Sequence, residues 1–441
     1  MRFSTAELAA HVGGALVGPD VMVDGASIDS RAIAAGQLFV PIVAERDGHD
    51  FIAEALAAGA PAYLTAHQPQ GGTAVTVSDT GEALIAIGGF ARQRLAADVL
   101  AITGSVGKTT TKDLVAGCLA STFPTVASEK SLNNELGVPL TLCNAREDVR
   151  WVVLEMGARG PGHIAALTAF TFPKVGVVTR VALAHIETFG DLDGVFEAKR
   201  ELVSSLPSDG VAILNADDAL VARMADGAPC PVLTYGIEQP AEVQADGIEF
   251  NGNLQPTFTL HSPWGSGRAH VRLHGAAQVS NALAAAAAAL WCGVPFDAVV
   301  SSLAEVAPSD LRMDVRRPAW GPVLIIDCYN ANPASTEAAL RSLAALEGRR
   351  KVALLGRMAE LGDETERQHR AMAELAADLG VVVFGYQTDL YGGDRIDTVE
   401  EAVVRLISLS HEDCALIKGS RAVHLEDVVS AYGQAIGEEL V

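Results

Sequence analysis

The sequence predicts an α/β protein of three domains, and three observations carry that reading. Short runs rich in Val, Ile and Leu alternate with helical stretches along nearly the whole chain, the pattern of parallel strands covered on both faces. The 441 residues amount to roughly three domains at about 150 residues each. A glycine-bounded loop at residues 103–112 directly follows one strand run and opens a helix, the context a phosphate-binding loop requires.

Composition narrows the function classes. With 49% apolar and 20% charged residues, neither disorder nor a fibrous repeat fits. Lys and Arg total 32 against 54 Asp and Glu, a formal charge of -22, which repels nucleic acid and anionic membrane surfaces. A small anionic substrate remains compatible, because a local cradle of N–H groups and a few cations outweighs a distant field screened within about 8 Å. The longest nearly apolar run, 282–292, is mostly alanine and too short for the roughly 20 residues of a membrane span. It reads as a packed helix. The N-terminus carries Glu7 and no continuous apolar stretch, so no signal peptide is expected and the cytosol is the expected compartment. Six cysteines lie scattered without a C-x-x-C pair, which predicts reduced thiols rather than zinc or disulfides.

Element by element, the first eighty residues hold short runs around SIDS, GQLFVPI, PAYLTA and GTAVTVSD, with a helical stretch at 50–60. They predict a small α/β domain, 1–80. A helix at 81–97 leads into the central domain, 81–309, whose strand runs are DVLAIT, WVVLEM, KVGVVT and GVAILN. Residues 241–275 are dense in Gly, Pro and polar residues and suggest an antiparallel insertion. The last domain, 310–441, repeats the pattern with VLIID, KVALLG, VVVFG and CALIKG, a second parallel sheet. Leu340, Leu343 and Leu346 share one helical stripe, which is core.

The chemistry gathers in TGSVGKTTTK. Gly104 and Gly107 free the backbone to turn N–H groups of Ser105, Val106 and Thr110 inward, Lys108 reaches terminal phosphates, and Thr109 offers a hydroxyl to Mg²⁺. The strict G-x-x-x-x-G-K-[ST] pattern fails because position 102 is isoleucine. A glycine-rich turn that binds nothing is the alternative. Glu155 closes the run WVVLE and is either solvated or a metal ligand. Beside a phosphate loop the ligand reading is favoured. His185 follows another strand run and is either a packing residue or a ligand. Lys199 reads as an ordinary helix lysine on spacing alone.

Together these segments resemble the Mur ligase family, the ATP-dependent amide-forming enzymes of peptidoglycan precursor synthesis. The resemblance spans DSR (29–31), TGSVGKTTTK, NNELGVP (133–139), EMGA (155–158), AHIETFG (184–190), AK (198–199), LNADD (214–218), QVSNALAAAA (278–287), LRMDV (311–315), IDCYNANPAS (326–335), GRMAELGDE (356–364) and KGSR (418–421). YNANP with MAELG and KGSR is similar to the branch that adds D-alanyl-D-alanine to UDP-N-acetylmuramoyl-tripeptide. The family implies a UDP-substrate domain, a central ATPase and a C-terminal Rossmann-like domain that brings the amine.

The resemblance also implies roles. Glu155 and His185 bind Mg²⁺, Lys199 is carbamylated, and Asn281 contacts the adenine side of ATP. Arg312 and Asp327 reach phosphates and ribose, Asn133 and Asn134 line the muramoyl side, and Ser30 and Arg31 hold the UDP-substrate. The chain departs from the family at Arg180, where asparagine is usual, at Leu311, where glycine is usual, and at Arg357, where an acid is usual. Arg180 is expected either to perturb the metal site or to act as an extra anion clamp. A monomer is expected. The rival readings are another Mur-type or folate-extending ligase and a non-catalytic nucleotide-binding partner.

Overall fold

The computed structural model describes residues 1–184, 186–308 and 311–440. Its central feature is a nine-stranded sheet in the order Thr125–Ala127, Trp151–Glu155, Asp98–Thr103, Val175–Val178, Val211–Asn215, Val232–Gly236, Val243–Phe250, Pro256–Ser262, Gly265–His270. Neighbours run parallel as far as Val243–Phe250, and the last three strands form an antiparallel meander. The polar stretch 241–275 is therefore the sheet's own continuation, with a register shift between Asp246 and Glu249. Trp151–Glu155 and Val211–Asn215 are buried throughout, as expected for strands covered on both faces. One face packs on the helices Lys108–Ala120 and Ala277–Trp291. The alanines of the latter let it lie close to the sheet, and residues 282–289 are fully buried.

The opposite face shares one apolar core with the N-terminal segment. There a five-stranded sheet orders Ala15–Val17, Thr73–Thr76, Ala62–Thr65, Leu38–Phe39, Ala26–Ser27, antiparallel only at its first pair. GQLFVPI yields just two strand residues, because Gly36 takes a left-handed φ of 95° and Pro41 follows closely. The helix Thr80–Arg94 opens on Asp79, whose carboxylate accepts from the N–H groups of Gly81 and Glu82, a side-chain N-cap.

The C-terminal sheet orders Asp314–Arg316, Val323–Asp327, Cys414–Lys418, Lys351–Leu355, Val381–Tyr386, Asp394–Ile396. It is not wholly parallel. Asp314–Arg316 pairs antiparallel with Val323–Asp327, because the chain enters through a short connection at Pro318 and Gly321 that can join only antiparallel neighbours. The helix Pro333–Ala345 starts with Asn332 and Ser335 in a capping box and Pro333 in its first turn. Leu340 and Leu343 are buried on its stripe, whereas Leu346, also buried, lies just past the helix end in extended backbone, so the expected helical stripe stops one leucine short.

At the amino ends of these strands the helices leave unpaired carbonyls, and cations meet them. Arg350 donates to the Ser408 carbonyl at 3.1 Å and to Asp413 at 2.7 Å, and Lys351 donates to the Ala344 carbonyl. The Arg350 guanidinium holds the Asp413 carboxyl far below the usual carboxylate range. Among the described residues, no helix is long and apolar enough to cross a membrane.

The helix Thr80–Arg94 meets the helix Gly137–Cys143 at Gly88, where an added Cβ would lie 2.6 Å from Pro139 Cβ and 2.7 Å from its Cα. A glycine in a helix interior ordinarily gains about 0.5–1 kcal/mol on replacement by alanine. Gly88→Ala is predicted to do the reverse and lose about 1–3 kcal/mol, read as a lowered thermal midpoint. A raised midpoint would contradict this packing.

Candidate active site

The strand Asp98–Thr103 delivers the loop 104–107 to the carboxyl edge of the central sheet, and the helix Lys108–Ala120 leaves from it. Two glycines are sterically required. Gly104 has φ 145°, and a Cβ there would lie 2.0 Å from Thr179 Oγ1; Gly107 has φ 88°, and its Cβ would lie 2.5 Å from Asn281 Oδ1. The next strand end hangs the loop. Ser105 N–H donates to the Arg180 carbonyl at 2.7 Å, the Ser105 hydroxyl to the Ala182 carbonyl at 2.8 Å, and the Thr179 hydroxyl to the Val106 carbonyl at 2.6 Å.

Lys108 folds back over this loop, its Nζ donating to the Gly104 carbonyl at 2.7 Å. Burial pushes its pKa down, with Glu155 opposing and Arg312 adding to the shift. Glu155 is buried at the end of its strand and accepts from the Thr109 hydroxyl at 2.7 Å and from Asn133 Nδ2 at 2.7 Å. It is thus a held carboxylate and not a solvated strand end. Two oxygen donors in contact, beside a helix N-terminus and a cationic lysine, suit a hard divalent cation bound with phosphate.

The loop, Asn133, Asn134, Glu155, Lys199, Asn281, Arg312 and Asp327 line one cavity of about 430 Å³ between the central and C-terminal sheets. Lys199 is 3% exposed on the helix Leu192–Ser204. Among the described residues its ammonium has no carboxylate or acceptor partner, and the Phe189 ring lies 5.6 Å away. Burial, then repulsion from Lys108, brings its pKa down to about 7, with Glu201 opposing.

Arg312 enters from the linker, its guanidinium 3.9 Å over the Tyr329 ring and donating to Ser131 Oγ at 3.2 Å. It lies between two left-handed residues, Leu311 with φ 60° and Met313 with φ 48°. Where the family has glycine, the leucine keeps the glycine-type backbone, at a cost of about 1–2 kcal/mol, and packs against the C-terminal core. Asp327 accepts from Lys418 Nζ at 2.6 Å and from Met313 N–H at 3.2 Å.

Other expected residues stand apart. Ser30 donates to Glu54 at 3.1 Å, and Arg31 grips Asp29 at 2.9 and 2.8 Å; neither lines the cavity. His185 lies outside the described residues. The clamp role for Arg180 is not supported, because its side chain is exposed and off the cavity wall. Thr179 turns inward to hold the loop and the next side chain turns away, so Arg180 serves through its backbone. Arg357 is exposed.

Sequence reasoning passed over Ser131, Gln278, Asn330 and Lys418, all on the cavity wall. Lys418 closes a strand in the quoted KGSR segment, which is the signal that could have found it. A second group, Asp47, His49 and His67, has metal-like spacing. His49 spends both ring nitrogens internally, however: Nε2 accepts from Ala66 N–H at 3.1 Å, so Nδ1 carries the proton it shares with Asp47 at 2.6 Å. It is a strut.

Comparison with known proteins agrees with this geometry. Residues 102–289 match the Mur ligase middle domain and 311–421 the Mur ligase, glutamate ligase domain. The chain is 36% identical to the UDP-N-acetylmuramoyl-tripeptide--D-alanyl-D-alanine ligase of Mycobacterium leprae (strain TN), over 89% of this chain and 87% of that one. The crystal structure of MurF from Acinetobacter baumannii superposes with a TM-score of 0.89 at 29% identity, covering 98% and 99% of the two chains. MurF ligase from Thermotoga maritima, solved in complex with ADP, gives 0.82 at 24% identity over 94% and 98%.

Proposed function

The chain belongs to the Mur ligase family, and we propose that it joins D-alanyl-D-alanine to UDP-N-acetylmuramoyl-tripeptide, forming an amide as ATP becomes ADP and phosphate. The observation that carries this reading is the shared cavity, where a phosphate loop and a hydrogen-bonded carboxylate on one sheet face Arg312 and Asn330 from the other. The reading divides the chain into a UDP-substrate unit (1–80), an ATP unit (81–309) and an amine unit (310–441), working as a monomer in the cytoplasm.

A carboxylate oxygen is a poor leaving group, so the acid must be activated. The tripeptide's terminal carboxylate attacks the γ-phosphorus of ATP, the bond to the bridging oxygen breaks, and ADP leaves. The dipeptide amine then adds to the acyl carbon, and phosphate departs with the amide formed. Lys108 and the loop amides of Ser105 to Thr110 stabilise charge on the transferred phosphoryl group. Arg312 supports it from the C-terminal side, and its stack on Tyr329 fixes its direction. Asn281 faces the adenine side, and Asp327, oriented by Lys418, the ribose. Asn133 and Asn134 line the muramoyl side, while Ser30 and Arg31 hold the uridine nucleotide at a distance from the chemistry. Closure of the two sheets over the cavity excludes water that would hydrolyse the activated acid.

Thr109, Glu155, His185 and a carbamylated Lys199 are the proposed ligands of Mg²⁺, which when bound neutralises phosphate charge and orients the γ-phosphoryl group. Carbamylation is supported by the buried Lys199 ammonium, which has no acceptor partner among the described residues. A buried cation without a counter-charge is costly, and an amine that loses its proton near pH 7 attacks CO₂. The new Nζ–C bond forms, a proton leaves to solvent, and the cation becomes an anionic oxygen ligand.

Two measurements test this. Product mass is predicted to show the amide-linked UDP-muramoyl-pentapeptide only when tripeptide, dipeptide and Mg-ATP are all present; product with glutamate or a single amino acid in place of the dipeptide would overturn the substrate assignment. With ¹³C-bicarbonate, one carbamate resonance is expected in the wild type and none in Lys199→Ala, whose activity falls at least about 10–100-fold. Equal spectra would remove the carbamate.

A further inference from the structure

The helix that begins at the phosphate loop carries a second lysine that the mechanism above leaves unused. Lys112 lies one turn beyond Lys108 and is 3% exposed. Its Nζ donates to the carbonyls of Ser128 at 2.7 Å and Lys130 at 3.0 Å, and it pairs with Asp113 at 2.9 Å. Those carbonyls open the segment 128–136, where the backbone turns through Lys130 at φ 47°. Leu132 N–H closes the turn onto the Glu129 carbonyl at 3.0 Å, but among the described residues no backbone N–H reaches the Ser128 and Lys130 carbonyls, so one ammonium ties both to the helix.

That segment makes four outward contacts. Ser128 Oγ accepts from Glu155 N–H at 3.4 Å, Asn133 Nδ2 donates to the Glu155 carboxylate, and Ser131 Oγ accepts from Arg312. The Asn133 carbonyl also accepts from Gly157 N–H at 2.8 Å. A single rigid helix therefore presents Lys108 to the nucleotide and, through Lys112, fixes the loop that reaches Glu155 and the C-terminal domain.

We propose that Lys112 is a positioning residue that sets the segment 128–136 relative to the phosphate loop, so that nucleotide binding, the muramoyl side and the docking of Arg312 are held in one register. It acts through Asn133 and Ser131 and touches no substrate. The kinetic part of the test rests on the ligase reading proposed above; the exchange part requires only that the chain bind ADP.

In Lys112→Met, which keeps the length and removes the donors, the affinity for Mg-ADP is predicted to stay within about threefold of wild type. KM for UDP-muramoyl-tripeptide is predicted to rise about tenfold or more, the size expected from losing charge-assisted hydrogen bonds. Lys112→Arg should recover part of that loss. In hydrogen exchange, Mg-ADP should protect 105–110 and 128–136 together in the wild type but only 105–110 in Lys112→Met. The proposal is overturned if nucleotide affinity falls in parallel with KM, or if 128–136 is protected equally in both proteins. Should Lys112→Met fail to fold, Ser131→Ala carries the test. It should raise the same KM and release the linker at 311–313 while 128–130 stays protected; an unchanged KM and linker would reject the coupling. A wild type that shows no ADP protection anywhere would instead sink the nucleotide-site reading.

Discussion

The steric closure around two glycines is the constraint on which the site depends. Gly104 and Gly107 take backbone conformations that side chains rarely adopt, and both are wedged against groups of other elements, Thr179 and Asn281. A methyl group at either point would overlap an oxygen atom. The loop is therefore not a flexible turn awaiting a ligand. Its shape is imposed by the neighbouring strand end and by the helix Ala277–Trp291, and that helix approaches so closely because its buried face is alanine. Preformed donors of this kind need little reorganisation when charge develops in front of them.

The C-terminal domain is joined to this cradle by directional contacts. Arg312 stacks on Tyr329 and reaches Ser131 across the cavity, Ile186 N–H donates to the Glu360 carbonyl at 2.9 Å, and Gly362 N–H to Glu187 at 3.3 Å. The left-handed pair Leu311 and Met313 aims Arg312 inward. The chain tolerates leucine in a glycine conformation because the side chain finds apolar neighbours in the C-terminal core, so packing offsets backbone strain.

Much of the fold is legible in the residues. VLIID and DVLAIT coincide with strands because short, nearly unbroken apolar runs rich in Val and Ile suit a doubly covered sheet. Three-residue strands such as Thr125–Ala127 and Asp394–Ile396 leave no periodic signal, and Val232–Gly236 hides among polar residues. The antiparallel entry of Asp314–Arg316 is set by a tight connection, which hydrophobic pattern does not register. In the candidate site, the places of the glycine-bounded loop and of Glu155 at strand ends were legible because the strand runs and glycines mark them. Lys199 was not, since a lysine on a helix looks solvated until its burial is seen. Ser131 and Lys112 act through backbone carbonyls and one hydroxyl, which carry no sequence signature.

An overall charge of -22 and a site that handles anions are compatible because Lys108, Arg312 and the N–H groups of the loop converge on one cavity. In the proposed reaction that convergence serves the activation of a carboxylate by phosphoryl transfer. The most direct measurement uses tripeptide labelled with ¹⁸O in its terminal carboxylate. The account predicts that the phosphate released during amide formation carries one ¹⁸O atom from that carboxylate per turnover. Unlabelled phosphate released alongside the product would contradict it, because the acid would then never have been bonded to phosphorus.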